Sequence, residues 1–220
     1  MKKSAFLAFT GKFFSLFYIV GAILFMVVGY LANIYMGSAG IVLIAAFPAV
    51  IIVFIDYFAF SCASSRRQAS MNFIKSSYWG LDFFKSALKT DIIIKEIVMM
   101  LPFLGYILAD FIAFEENYIF ADLVAILIFA PMIQVVSMLT LIISRRIALS
   151  MVAQMAVCYI ASMIHAILSI VVSFALPTEQ EGFPFYALVI FFVLEAIGIL
   201  LAIFLYKDCV KGYESSFADK

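Results

Sequence analysis

Residues 13–55 read FFSLFYIVGAILFMVVGYLANIYMGSAGIVLIAAFPAVIIVFI, from Phe13 to Ile55 without one charged side chain. A helix crossing the roughly 30 Å hydrocarbon core of a bilayer needs about 20 apolar residues. This stretch is long enough for two crossings. Asn33-Ile34-Tyr35-Met36-Gly37-Ser38-Ala39-Gly40 interrupts it with turn-forming residues, which predicts a helical hairpin. The first two spans then cover about 13–32 and 41–60. The first apolar stretch is longer than the h-region of a signal peptide, with no small-residue cleavage site before the loop, and it is expected to stay as a span.

The rest of the chain follows the same pattern. A polar loop, 61–95, precedes spans at about 96–114 and 120–143, which flank the acidic Glu115-Glu116-Asn117. Arg145-Arg146 breaks the pattern, a fifth span covers about 147–176, and a sixth about 185–206 follows Thr178-Glu179-Gln180-Glu181-Gly182. Of the 220 residues, 67% are hydrophobic and 13% charged, with a mean hydropathy of +1.18. Soluble domains run at roughly half apolar and a quarter charged, and a water-soluble fold of this size exposes too much area to hide such a surplus. The expected fold is all-α: a single polytopic transmembrane domain over 1–220, with about six spans.

Charge placement sets the orientation. With the N-terminus inside, Lys2, Lys3, Lys12, Arg66, Arg67, Lys75, Lys85, Lys89, Lys95, Arg145, Arg146, Lys207, Lys211 and Lys220 all fall on the cytoplasmic side. The outer loops hold Glu115, Glu116, Glu179 and Glu181 instead. Both termini are therefore expected in the cytoplasm.

Chemistry of its own is not expected from this chain. No Walker-type Gly-rich Lys-Ser/Thr run occurs, and a single histidine cannot supply the His-Glu-x-x-His zinc signature. Cys62, Cys158 and Cys209 fall in no metal or redox spacing. No catalytic residue, metal or resident cofactor is assigned, and nucleic acid is not an expected partner.

Two segments have amphipathic character. Met1 to Lys12 mixes Lys2, Lys3 and Lys12 with Phe6, Leu7 and Phe9, which suits a short helix lying flat on the inner leaflet before span one. Between spans two and three, Leu81, Phe84, Leu88 and Ile92 recur at helical spacing, with Asp82, Lys85 and Lys89 on another stripe. Asp91 and Lys95 form an i,i+4 pair running into span three. This second helix either anchors the loop at the interface or offers one face to a cytoplasmic partner.

Ionisable groups inside a membrane are expensive and mark functional positions. Glu195 lies about 15 Å below the outer boundary of span six, and His165 of span five lies at a similar depth. The two face a substrate path, or they form a buried pair that fixes helix packing. Gln134 and Gln154 read as interhelical hydrogen-bond donors. Asp56, Asp110 and Asp122 lie near span ends, within reach of water, and receive no role. Pro48, Pro102 and Pro131 fall inside spans, where each removes a backbone hydrogen bond and can kink its helix.

A basic N-terminal segment, six spans in about 220 residues, a long cytoplasmic loop after span two and a short one after span four resemble a known family. It is the transmembrane permease subunit of bacterial ABC-type exporters of the short six-helix class. Residues 83–96, Phe83 to Glu96, are similar to the family's coupling-helix region. The resemblance implies a cytoplasmic ATP-binding partner that docks on Asp82, Phe84, Lys85, Leu88 and Lys89 and carries the ATP and Mg. It also implies a second permease subunit, identical or homologous, a substrate that is peptide, drug-like or amphipathic, and a bacterial plasma-membrane location. Glu195 and His165 would line the path. The family's re-entrant helical pair would have to be accommodated by a break near Ser169–Ser173 in the over-long span five. A non-transporting multi-span protein for assembly, sensing or toxin immunity, and an ion-coupled carrier, remain as other readings.

Overall fold

A computed structural model describes residues 2–37, 39–41, 43, 44, 51, 56, 79–113, 116–147, 151–175 and 185–215. Five long helices account for nearly all of them: α1 (Lys2–Met36), α2 (Gly80–Ala113), α3 (Glu116–Ile147), α4 (Met151–Ala175) and α5 (Phe185–Ser215). Long uninterrupted helices are what an apolar chain requires in lipid, because every backbone N–H and C=O must be satisfied internally. Stretches of α1, α2, α3 and α5 are long and apolar enough to cross a membrane, and α4 holds a shorter apolar stretch, Met155–Leu168. Most of span two and of the 61–95 loop up to Tyr78 lies outside the described residues, as do Pro48 and Cys62.

The hairpin turn falls where its residues predict it. α1 ends at Met36, and Gly37 adopts a left-handed φ of 53°, a conformation that costs glycine nothing. The Gly37 amide donates to the Asn33 carbonyl at 2.9 Å, and the Gly40 amide to the Gly37 carbonyl at 2.8 Å. The Tyr106 hydroxyl donates to the same Gly37 carbonyl at 2.8 Å, tying the turn to α2.

Three expectations need correction. The basic N-terminal segment is not a separate flat helix, because α1 continues through Lys12 without a break. The amphipathic stretch before span three is the first three turns of α2, a helix of 34 residues and about 50 Å. Its apolar stripe turns into the core rather than lying free on a surface. Ser169–Ser173 is helical throughout, so α4 has no re-entrant break there. Pro102 and Pro131 are likewise absorbed inside α2 and α3.

Packing shows how the helices run. α1 lies along α2 and parallel to it, with Tyr18 near Asp91 and Asn33 bonded to Asp110. α3 runs the opposite way, since its Arg145 meets Asp91 and its Asp122 meets Asp110. α5 runs with α3 and against α2, because Asp208 and Cys209 meet Arg146 and Arg145 and Tyr213 stacks on Phe84. α3 packs against α2, α4 and α5 and is the central helix, while α5 is mostly open on its outer side. The bundle thus has a basic end, near Arg145, and an acidic end, near Asp110. Phe84, Leu88, Met138, Leu141 and Leu205 form the core at the basic end, where Phe84 stacks on Tyr213 at 4.6 Å. Tyr106, Phe129 and Ile133 fill the other.

α1 and α2 approach closely through two glycines. A Cβ added at Gly29 would overlap the Pro102 carbonyl, and one added at Gly105 would overlap the Met26 carbonyl. Small residues let membrane helices associate through backbone contact where no hydrophobic drive exists between them.

Candidate functional site

α2 brings a carboxylate to each of three polar levels inside the bundle: Asp91, Glu96 and Asp110. Asp91 and Glu96 are separated by about 7.5 Å along the helix axis, and Glu96 and Asp110 by about 21 Å. Each level recruits side chains from different helices.

At the basic end, Asp56, Asp91, Lys95 and Arg145 form a buried quartet. Lys95 Nζ bonds both Asp56 and Asp91, all three fully buried. Arg145 Nη2 donates to Asp56 Oδ1 at 2.7 Å and to Asp91 Oδ2 at 2.8 Å, while its Nε donates to Asp56 Oδ2 at 3.1 Å. Nη1 points to Cys209 Sγ on α5 at 3.4 Å. Two carboxylates and two cations cancel, as burial demands. The guanidinium fork is suited to holding two carboxylates at once. Tyr18 adds α1 to this level, within electrostatic reach of Asp56 and Asp91. A quartet of this kind does little for net stability compared with apolar packing, but loss of one member strands a buried charge. Its effect is to fix the relative positions of Asp56, α2, α3 and α5.

At the middle level Glu96 meets the Gln134 amide of α3 and lies within electrostatic reach of Glu195 on α5. Gln134 is 7% exposed, and its carbonyl oxygen has no hydrogen-bond donor; Glu96 Oε1 is in the same position. Gly198, one turn beyond Glu195, leaves room for the Gln134 side chain, which would lie 3.0 Å from a Cβ there. At the acidic end, Asn33 Nδ2 donates to Asp110 Oδ1 at 2.6 Å and to the Tyr106 carbonyl at 2.9 Å, and Asp122 reaches Asp110 from α3.

The residues singled out from the sequence are distributed unevenly over this frame. Glu195 is half-buried and lies within electrostatic reach of Glu96. His165 is fully buried on α4, its Nδ1 2.7 Å from the Ala161 carbonyl and its ring beside the Ile133 backbone of α3. Glu195 and His165 thus have different neighbours, because α4 packs on α3 while α5 packs on both α3 and α2. The docking set divides in two. Phe84 and Leu88 are buried in the core, whereas Asp82 and Lys89 are exposed and Lys85 is half-buried. An apolar stripe on a helix finds the protein interior when one is available, leaving the polar stripe outside. The side chain of Gln154 lies outside the described set.

The quartet and Glu96 were not assigned from the sequence. Asp91 and Lys95 showed only their local spacing, and Asp56 looked like the end of a span. The available signal was Asp56 itself, the first charge after the long uncharged run.

No family model, curated protein or solved structure matches the chain. What it does must follow from its own residues. Among the described residues no group of His, Cys, Asp and Glu is arranged to hold a metal ion.

Proposed function

We propose that this chain is the membrane-spanning permease subunit of an ATP-driven exporter, set in a plasma membrane with both termini cytoplasmic. It forms the substrate path with a second permease subunit and is powered by a separate ATP-binding chain. The observation that carries this reading is the continuity of α2. One helix joins the polar stripe of Asp82, Lys85 and Lys89 to the quartet, the middle level and the acidic end.

At about 50 Å, α2 exceeds the roughly 30 Å hydrocarbon core by several turns. The excess at the Gly80 end is where an ATPase would dock. Phe84 and Leu88 anchor that end to the bundle core, so contact with the partner falls to Asp82, Lys85 and Lys89. The quartet ties α2 to α3 and α5, so a displacement at the docking end moves all three helices as a unit. That is the mechanical requirement for coupling ATP hydrolysis to a change at Glu96 and Glu195. The open apolar faces of α4 and α5 are left for lipid and the second permease subunit.

The test is charge reversal of both lysines, Lys85→Glu with Lys89→Glu. Transport driven by ATP should be lost while membrane abundance and thermal stability stay at the parent level. Full transport by this variant would remove the docking role from α2.

A further inference from the structure

We propose that Glu96, Gln134 and Glu195 form an intramembrane site for the primary ammonium group of an amphipathic amine. The proposal rests on the permease reading for its biological meaning, but its chemistry stands on three helices that meet at one level.

The site is rich in acceptors and poor in donors. The Gln134 amide serves Glu96, which leaves the Gln134 carbonyl oxygen and Glu96 Oε1 buried without a donor. Glu195 adds a second carboxylate from α5. Buried acceptors in a low-dielectric setting are costly unless a donor reaches them. The protein's own cations are engaged elsewhere. Lys95 adjoins Glu96 in sequence, yet it projects from another face of α2 and holds Asp56 and Asp91. Arg145 is bound to the same two carboxylates. Among the described residues neither Glu96 nor Glu195 is in an ion pair.

The geometry selects among donors. A primary ammonium carries three N–H donors and one positive charge, which matches three acceptor groups and offsets one of the two carboxylates. Hard divalent cations require about six or more oxygen ligands, or near-ideal octahedral geometry, and three side chains supply these poorly. Glu195 is only half-buried, so an approach is open on the outer side of α5. The residues flanking it there, Phe192 and Ile199, are exposed and apolar. An alkyl chain lying along them would keep its contact with lipid while the headgroup reaches the carboxylates. Gly198 is part of the fit, since a side chain there would press on Gln134.

The test uses the purified full chain in a maltoside detergent, with binding followed by calorimetry. The probes are octylammonium, octyltrimethylammonium (the same charge with no N–H donor) and neutral octanol. Octylammonium should bind saturably, and octyltrimethylammonium about tenfold more weakly or worse, as expected for lost charge-assisted hydrogen bonds. Glu96→Gln and Glu195→Gln should each weaken octylammonium binding by about tenfold. Glu195 is half-exposed, so Glu195→Gln keeps the test decisive if Glu96→Gln misfolds. Equal binding of all three probes, no saturable binding, or binding unchanged in Glu195→Gln would each overturn the proposal. Saturable binding by a chain that recruits no ATPase would leave this site standing and remove the permease reading, and the reverse result would do the opposite.

Discussion

Arg145 and Arg146 are adjacent in sequence, yet one side chain is 4% exposed inside the quartet and the other 56% exposed in a pair with Asp208. A helix turns about 100° per residue, so neighbours on α3 face different surroundings. Arg146 bonds Asp208 at 2.9 and 3.0 Å and lies over the Phe204 ring at 5.5 Å. Exposed pairs of this kind contribute about 0–1 kcal/mol. Arg145→Met should therefore lower stability by about 3–5 kcal/mol, because Asp56 and Asp91 lose a shared cation in the interior. Arg146→Ala should cost less than about 1 kcal/mol. Denaturant unfolding of the two variants in mixed micelles measures the difference, and equal losses would contradict the placement of Arg145.

The quartet should behave as a unit. Lys95→Met leaves two carboxylates to one guanidinium and is expected to destabilise by about 3–5 kcal/mol. Adding Asp91→Leu restores charge balance, so the double variant should be more stable than Lys95→Met alone. A double-mutant cycle on Asp91 and Lys95 reads this as a large coupling. Additive effects would show that the four charges do not share one site.

The α1–α2 contact makes a steric prediction. Gly29→Ala and Gly105→Ala each place a methyl group into the opposing backbone carbonyl, so each should cost about 1–3 kcal/mol as the helices part. Gly21 on the same helix has nothing within 4 Å of its missing Cβ. Gly21→Ala should be neutral or stabilising, since alanine is the better helix former by about 1 kcal/mol. Melting temperatures of the three variants suffice to check the contrast.

Within the first turns of α2, packing and docking are carried by different side chains. Phe84→Ala removes a ring stacked on Tyr213 and is expected to cost about 3–5 kcal/mol. Lys89→Ala changes an exposed position and should stay within about 0.5 kcal/mol. Partner binding, measured beside stability, should fall for Lys89→Ala and track only the loss of fold for Phe84→Ala.

Much of the architecture was legible because lipid imposes one period and one length. The apolar run between Phe13 and Ile55 announced its own turn, and Gly37 lies where the left-handed conformation is needed. The stripe of Phe84, Leu88 and Ile92 was correctly read as one face, but periodicity reports which residues share a face and not what covers it. Asp91–Lys95 was visible as a local pair, while their partners Asp56 and Arg145 lie 35 or more positions away along the chain. Glu96 was hidden for the same reason. It reads as the first residue of span three until α3 brings Gln134 to it and α5 brings Glu195 within electrostatic reach.

The most direct measurement is purification from the native membrane in a mild detergent, with mass spectrometry of the proteins that co-elute. The permease reading predicts an ATP-binding chain with a Walker motif at near one-to-one stoichiometry, reduced by Lys85→Glu with Lys89→Glu. A chain that elutes alone or only with itself, from membranes that retain it folded, would contradict that reading and favour a non-transporting membrane protein.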